Sequence, residues 1–294
     1  MDGPLAPWIF CATTDEAVMH LPSPAERFLE DFHQRRPGTT SVAFAHLCSE
    51  QHASSYAALA ATLPSSSASL SVLDLACGNG YLLELLEQLY PQRLQLTGVD
   101  LSQAELDEAR ARLPASVSLI KERAQALSLG TASVDVVVSH LALMLMDDIE
   151  QVLSEIRRVL RKDGKVATIV GRGFLLGAVG EAYLQVFRQV AQQDALAHLP
   201  MGDPRMRTEE GWRALFSADF EQVTVQDIDV AWQPDFAELW QSLSATYDVD
   251  RLTPAARVQL QERFKTAIDH LPHTDGTFAT GWGLRLIQAH PRQC

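Results

Sequence analysis

Two short runs constrain this chain most. Val72-Leu73-Asp74-Leu75-Ala76-Cys77-Gly78-Asn79-Gly80-Tyr81-Leu82 passes from an apolar stretch through an acidic residue and two glycines into a leucine-rich helical pattern. Leu96-Thr97-Gly98-Val99-Asp100-Leu101-Ser102 is a second apolar stretch that ends in an acidic residue. A strand buried on both faces reads as a continuous apolar run. Glycines just beyond such a strand let the backbone turn sharply and approach a ligand closely. An acidic residue closing the next strand can accept hydrogen bonds from both hydroxyls of a ribose. Together the runs describe a nucleoside pocket at the carboxyl edge of a parallel sheet.

A dinucleotide site wants a third glycine, in the pattern G-x-G-x-x-G. Leu83 stands at that position, and the helix opens on Tyr81 rather than on a small residue. The pattern D-x-A-C-G-x-G, with Asp100 closing the next strand, instead resembles motifs I and II of class I S-adenosylmethionine-dependent methyltransferases, in particular the small-molecule branch often called type 11. The resemblance covers roughly Ser71 to Gly171 well and the C-terminal half loosely. It implies an α/β, Rossmann-like fold: a seven-stranded, mostly parallel sheet with helices on both faces and a helical lid. The last two strands would form an antiparallel edge pair.

The order of elements agrees with that expectation. Strand and helix alternate through Leu70–Leu75, Tyr81–Tyr90, Leu94–Asp100, Ser102–Leu113, Val117–Lys121, Val134–Ser139, Asp147–Arg161 and Lys165–Gly171. Such alternation means a parallel sheet with right-handed crossovers. Residues 1–64 read as an N-terminal helical lid, 65–171 as the cofactor-binding core, and 172–294 as the rest of the sheet. This last part carries helical cap insertions at about 172–207 and 232–277. Pro64-Ser65-Ser66-Ser67-Ala68-Ser69 is the polar connector into the first strand.

Composition narrows the classes of partner. A net charge of −13 opposes a nucleic-acid footprint and anionic membranes, and 47% hydrophobic residues suffice for a core. Nowhere do eighteen apolar residues run uninterrupted, so no membrane span is expected. Cys11, Cys48, Cys77 and Cys294 are isolated, without metal-ligand spacing, so reduced thiols and no metal are expected. The opening Met1–Pro7 lacks the pattern of a secretory signal, which makes the cytoplasm the default. Oligomeric state is not legible.

Asp100 is the best-founded site residue, because a buried carboxylate needs its oxygens satisfied and a ribose diol would do so. The N-cap of the following helix is better served by Ser102. The resemblance implies that Asp74 anchors the turn or receives the methionine ammonium, with a helix N-cap as the plainer alternative. Ala76, Gly78 and Gly80 would supply backbone and clearance, and Leu101 and Ser139 belong to the same cofactor-binding set. Relatives often carry an acidic residue where Arg123 stands, reading the adenine amino group. Arg cannot accept a hydrogen bond, so Ala124 backbone or Gln125 must read the base. Cys77 reads as packing rather than as a nucleophile.

His140, leaving the fourth strand, is the candidate general base; a satisfied structural histidine is the plainer reading. The following Leu141–Met146 is strongly apolar and reads as helical-period core unless it faces the pocket.

Three functions fit. The first is methyl transfer from S-adenosylmethionine to a small-molecule acceptor, in biosynthesis of a specialised kind. The second keeps the ligand as sole substrate: its amino nitrogen attacks the γ-carbon, giving azetidine-2-carboxylate and methylthioadenosine. The third is a non-catalytic S-adenosylmethionine-binding module.

Overall fold

The computed structural model describes residues 22–49, 51–65, 69–196, 199–271 and 273–293. Cys11, Cys294 and the Met1–Pro7 stretch lie outside them.

Among the described residues, three helices precede the sheet: α1 (Pro24–Arg35), α2 (Thr39–Phe44) and α3 (Ser55–Ala60). α1 starts where Ser23-Pro24-Ala25-Glu26 suggests. The Ser23 hydroxyl accepts from the Glu26 N–H and the Glu26 carboxylate accepts from the Ser23 N–H, a reciprocal cap. The first half of the sheet follows as β1 (Leu70–Leu75), α4 (Tyr81–Leu89), β2 (Leu94–Asp100), α5 (Gln103–Arg112), β3 (Ser118–Lys121), β4 (Val134–His140), α6 (Ile149–Val159) and β5 (Leu160–Leu175). The second half contains α7 (Gly177–Gln193), α8 (Glu209–Phe216), β6 (Phe220–Trp232), α9 (Phe236–Ser244), α10 (Tyr247–Asp250), α11 (Pro254–Ile268) and β7 (Thr280–Pro291).

The strands form one seven-stranded sheet in the order β3-β2-β1-β4-β5-β7-β6. Its first five members run parallel, and β7 is antiparallel to both β5 and β6. Strand order reverses between β1 and β4, the point where open α/β sheets leave a crevice for ligands. Alternation along the central strands divides the core. Val72, Val136, Val138 and Ile169 pack under α3 and α4, whereas Leu73, Leu75, Val137 and Val170 pack against α6 and α8.

Some boundaries depart from the sequence reading. β5 begins at Leu160, not Lys165, because the polar Arg161–Gly164 stretch stays extended beside a register shift at Val134/Val136. Leu141–Met146 does not form a helix; it makes a single 3-10 turn at Leu143–Leu145. Only Leu143 of that turn is fully buried, while Leu141, Leu145 and Met146 border the cavity described below. The second cap insertion is not one long helix: α9 and α10 are separated at Ala245–Thr246. Among the described residues, no helix is long and apolar enough to cross a membrane.

Candidate functional site

A cavity of about 1100 Å³, counting its open mouth, lies over the carboxyl ends of β1, β2 and β4. One face of α1 forms its roof: Glu26, Leu29, Glu30 and His33 recur at helical spacing and all line it. Asp74, Ala76, Gly78, Asp100, Leu101, Ala124, Gln125 and His140 line it from below.

Asp100 has both oxygens engaged by backbone. Oδ2 accepts from the Gly78 N–H at 2.8 Å and Oδ1 from the Ser102 N–H at 2.8 Å. Each oxygen retains a second lone pair for a ligand hydroxyl. Asp100 therefore ties the turn after β1 to the end of β2, and a ribose is not needed to satisfy it, contrary to the sequence argument. Ser102 caps α5 as expected, accepting from the Glu105 N–H. Burial pushes the Asp100 carboxyl above its usual range, partly opposed by the Ser102 and Gly78 hydrogen bonds.

Asp74 is 1% exposed, and its Oδ2 is buried without a hydrogen-bond partner among the described residues. It caps no helix, because Gly80 holds the N-cap position of α4. Burial, with Asp100 adding to it, pushes its pKa up to about 8. A cation placed beside it would relieve that cost.

The turn itself runs through left-handed backbone at Ala76 (φ 60°), Gly78 (φ 51°) and Gly80 (φ 76°). The two glycines serve different purposes. A Cβ on Gly80 would fall 2.8 Å from Leu113 Cδ1 and 3.0 Å from Ala109 Cβ, so this glycine lets α5 pack closely. A Cβ on Gly78 would meet only Glu105, at 3.6 Å, so this glycine borders the cavity. Gly80 does not line the site, and neither does Ser139. Ser139 points to the opposite face of β4, which carries Val137 into the core around α6. Cys77 is packed, and burial pushes its thiol well up.

His140 is 7% exposed and held by α3. Its ring stacks on Tyr56 with centroids 3.7 Å apart, and Nε2 lies 2.9 Å from Ser55 Oγ. Burial lowers its pKa to about 3, so it is neutral at physiological pH. Nδ1 is buried without a partner among the described residues.

Several groups at the cavity escaped the sequence reading. Glu105, on the first turn of α5, is buried and accepts from His33 Nδ1 at 2.7 Å and from the Gly38 N–H at 2.9 Å. His33 Nε2 in turn lies 2.9 Å from the Tyr247 hydroxyl. Elements α1, α5 and α10 thus meet at one imidazole. At the other end of α1, Arg123 makes paired contacts with the Glu26 carboxylate, at 2.8 and 2.7 Å from one nitrogen. Tyr56 and Tyr81 meet edge to face, 4.8 Å apart, beside Asp74. The local signals at these positions were Glu26 and Glu105, each three residues after a serine that caps its helix; their partners lie in distant sequence.

Residues 73–168 match the family model described as a methyltransferase domain. The chain is 29% identical over 124 residues to the ubiquinone/menaquinone biosynthesis C-methyltransferase of Campylobacter jejuni, covering 40% of this chain and 52% of that protein. It is 29% identical over 209 residues to a malonyl-[acyl-carrier protein] O-methyltransferase of Laribacter hongkongensis, covering 60% and 68%. The chain spans about half the length of the first of these relatives. Among solved structures, a type II methyltransferase from Anaeromyxobacter dehalogenans superposes with a TM-score of 0.57 at 18% identity, covering 80% of this chain and 94% of that one. A phosphoethanolamine N-methyltransferase from Haemonchus contortus, bound to S-adenosylhomocysteine, does so at 0.54 and 17%, covering 90% and 60%. Sheet order and the structural likenesses give the chain a Rossmann-like, methyltransferase-type fold, and residues 73–168 within it match the methyltransferase domain.

Proposed function

We propose that this protein binds S-adenosylmethionine and transfers its methyl group to a small-molecule acceptor. The observation that carries the proposal is the pair Asp74 and Asp100. These carboxylates end adjacent strands on either side of a left-handed turn, under one roof. The buried, unpartnered Asp74 oxygen suits an ammonium, and the remaining lone pairs of Asp100 suit a ribose diol. Leu101 would pack on the base, with Ala124 and Gln125 at its edge. Tyr56 and Tyr81 offer ring faces and edges to a positively charged ligand.

When bound, the cofactor supplies a methyl group already activated by positive charge. The protein's part is to hold the acceptor in line and exclude water. α1 does the excluding. On this reading His140, left uncharged by burial and fixed by Tyr56 and Ser55, orients what it touches, with the general-base role as its alternative. The acidic chain and the roofed cavity favour a small acceptor over a nucleic acid, and the names of the relatives point the same way. Biosynthesis in the cytoplasm is the setting that fits this reading.

The test is incubation with S-adenosylmethionine, alone and with representative phenols, carboxylic acids and amines, followed by mass analysis. S-adenosylhomocysteine formed only with an acceptor, and lost in Asp100→Ala, is expected. Methylthioadenosine and an azetidine acid formed without acceptor would replace methyl transfer by self-cyclisation. Tight binding with no product from any acceptor class would favour a sensing module.

A further inference from the structure

Arg123 occupies the place where an acceptor for the adenine amino group is expected, yet the acceptor chemistry is present nearby. Gln125 donates both N–H groups of its amide, to Glu26 Oε1 at 3.1 Å and to the Asp147 carbonyl at 2.9 Å. Two acceptors on one amide nitrogen settle which way the amide faces. Its Oε1 takes no hydrogen bond among the described residues, and Gln125 lines the cavity.

Glu26 is itself immobilised. It is 7% exposed, is held by paired contacts to Arg123, and accepts from the Ser23 N–H at 3.0 Å. The Ser23 hydroxyl donates to the Asp147 carboxylate, so the start of α1 grips both sides of the Gln125 amide. The carboxylate at this end of the cavity is carried on the roof helix, with Arg123 as its counter-ion.

We infer that Glu26 is a specificity-determining positioning residue: from α1 it fixes the Gln125 amide with Oε1 as acceptor for the adenine 6-amino group. This rests on the cofactor reading above. A free glutamine amide presents donor or acceptor equally well, whereas this one presents only its oxygen. Hypoxanthine, with a 6-oxo group, would bring two acceptors together and leave both unpaired. Base selection and docking of α1 are thereby one event, because both need the same carboxylate.

The experiment is calorimetric titration of the full chain with S-adenosylhomocysteine and with S-inosylhomocysteine. Wild type should prefer the adenine compound by about tenfold or more. Gln125→Leu and Glu26→Ala should each bring the two affinities to within about threefold, Gln125→Leu without a large change in melting temperature. Glu26→Asp, which keeps the charge but shortens the reach, should fall between if the alanine variant does not fold. A preference that survives Gln125→Leu assigns base reading to the Ala124 backbone and overturns the inference. Equal weakening of both ligands by the Glu26 variants, with the ratio intact, makes Glu26 merely structural and also overturns it. Failure of wild type to bind either compound would instead remove the cofactor reading.

Discussion

The imidazole of His140 lies flat on the ring of Tyr56, their planes 18° apart and their centroids separated by 3.7 Å. Both Tyr56 and the hydroxyl partner Ser55 belong to α3, so a helix outside the sheet fixes the side chain that leaves β4. With its pKa lowered to about 3 by burial, His140 is uncharged near neutrality and a weak proton acceptor. His140→Ala should weaken cofactor binding and lower the melting temperature, through a cavity costing about 2–4 kcal/mol. The pH–rate profile should keep its shape between about pH 5 and 8. An ionisation present in the wild type and missing from the variant would restore the general base.

Asp74 and His140 give the unliganded protein opposite pH dependences. The carboxyl holds its proton up to about 8 in the folded state, against 3.8 unfolded, so its contribution is full below 3.8 and is lost as pH rises to about 8. The imidazole refuses a proton down to about 3, against 6.5 unfolded, so stability falls as pH drops below 6.5. The two slopes, each about 1.4 kcal/mol per pH unit, oppose one another between 3.8 and 6.5, and Asp74 acts alone above that. Asp74→Asn should therefore raise the unliganded melting temperature relative to wild type as pH goes from 6.5 to 8, while weakening cofactor binding. Parallel melting curves for the two proteins across that window would show that Asp74 is not a buried titrating group.

The two glycines of the turn should fail differently. Gly80→Ala drives a methyl group into Leu113 and Ala109 at a left-handed position, and its first effect should be a lower melting temperature. Gly78→Val also bears left-handed strain, but its side chain enters the cavity beside Glu105, so binding should be lost while the fold persists. Calorimetry and thermal melts on both variants separate the cases; a Gly78→Val protein that binds normally would move the ligand elsewhere.

The central strands were legible because burial on both faces leaves little freedom in the sequence: Leu70–Leu75 and Leu94–Asp100 fall where their apolar runs do. Ser102 capping α5 was legible for an equally local reason. The roof was not. Glu26, His33 and Glu105 are polar helical residues that read as solvated faces, and their partners lie 67 to 214 residues away in sequence. No periodicity encodes such contacts. That Gly80 packs against α5 and that Ser139 shares the face of Val137 were likewise not legible, since only the packing of α5 and the pleat of β4 show it.

Glu105 should hold the roof closed. Glu105→Ala strips the Gly38 N–H and His33 of their acceptor, which costs about 1–3 kcal/mol for each group left buried. Hydrogen exchange should quicken over residues 24–44, and cofactor dissociation should quicken with it. Unchanged protection there would mean that α1 is held by its other end alone.

The central claim meets its most direct test in titration of the unliganded chain with S-adenosylhomocysteine near neutral pH, for wild type and Asp100→Ala. The account predicts saturable binding at one site per chain, weakened about tenfold or more by the substitution, which removes charge-assisted acceptors and loosens the turn at Gly78. Absence of saturable binding by a folded wild-type protein would contradict it, as would an affinity indifferent to Asp100.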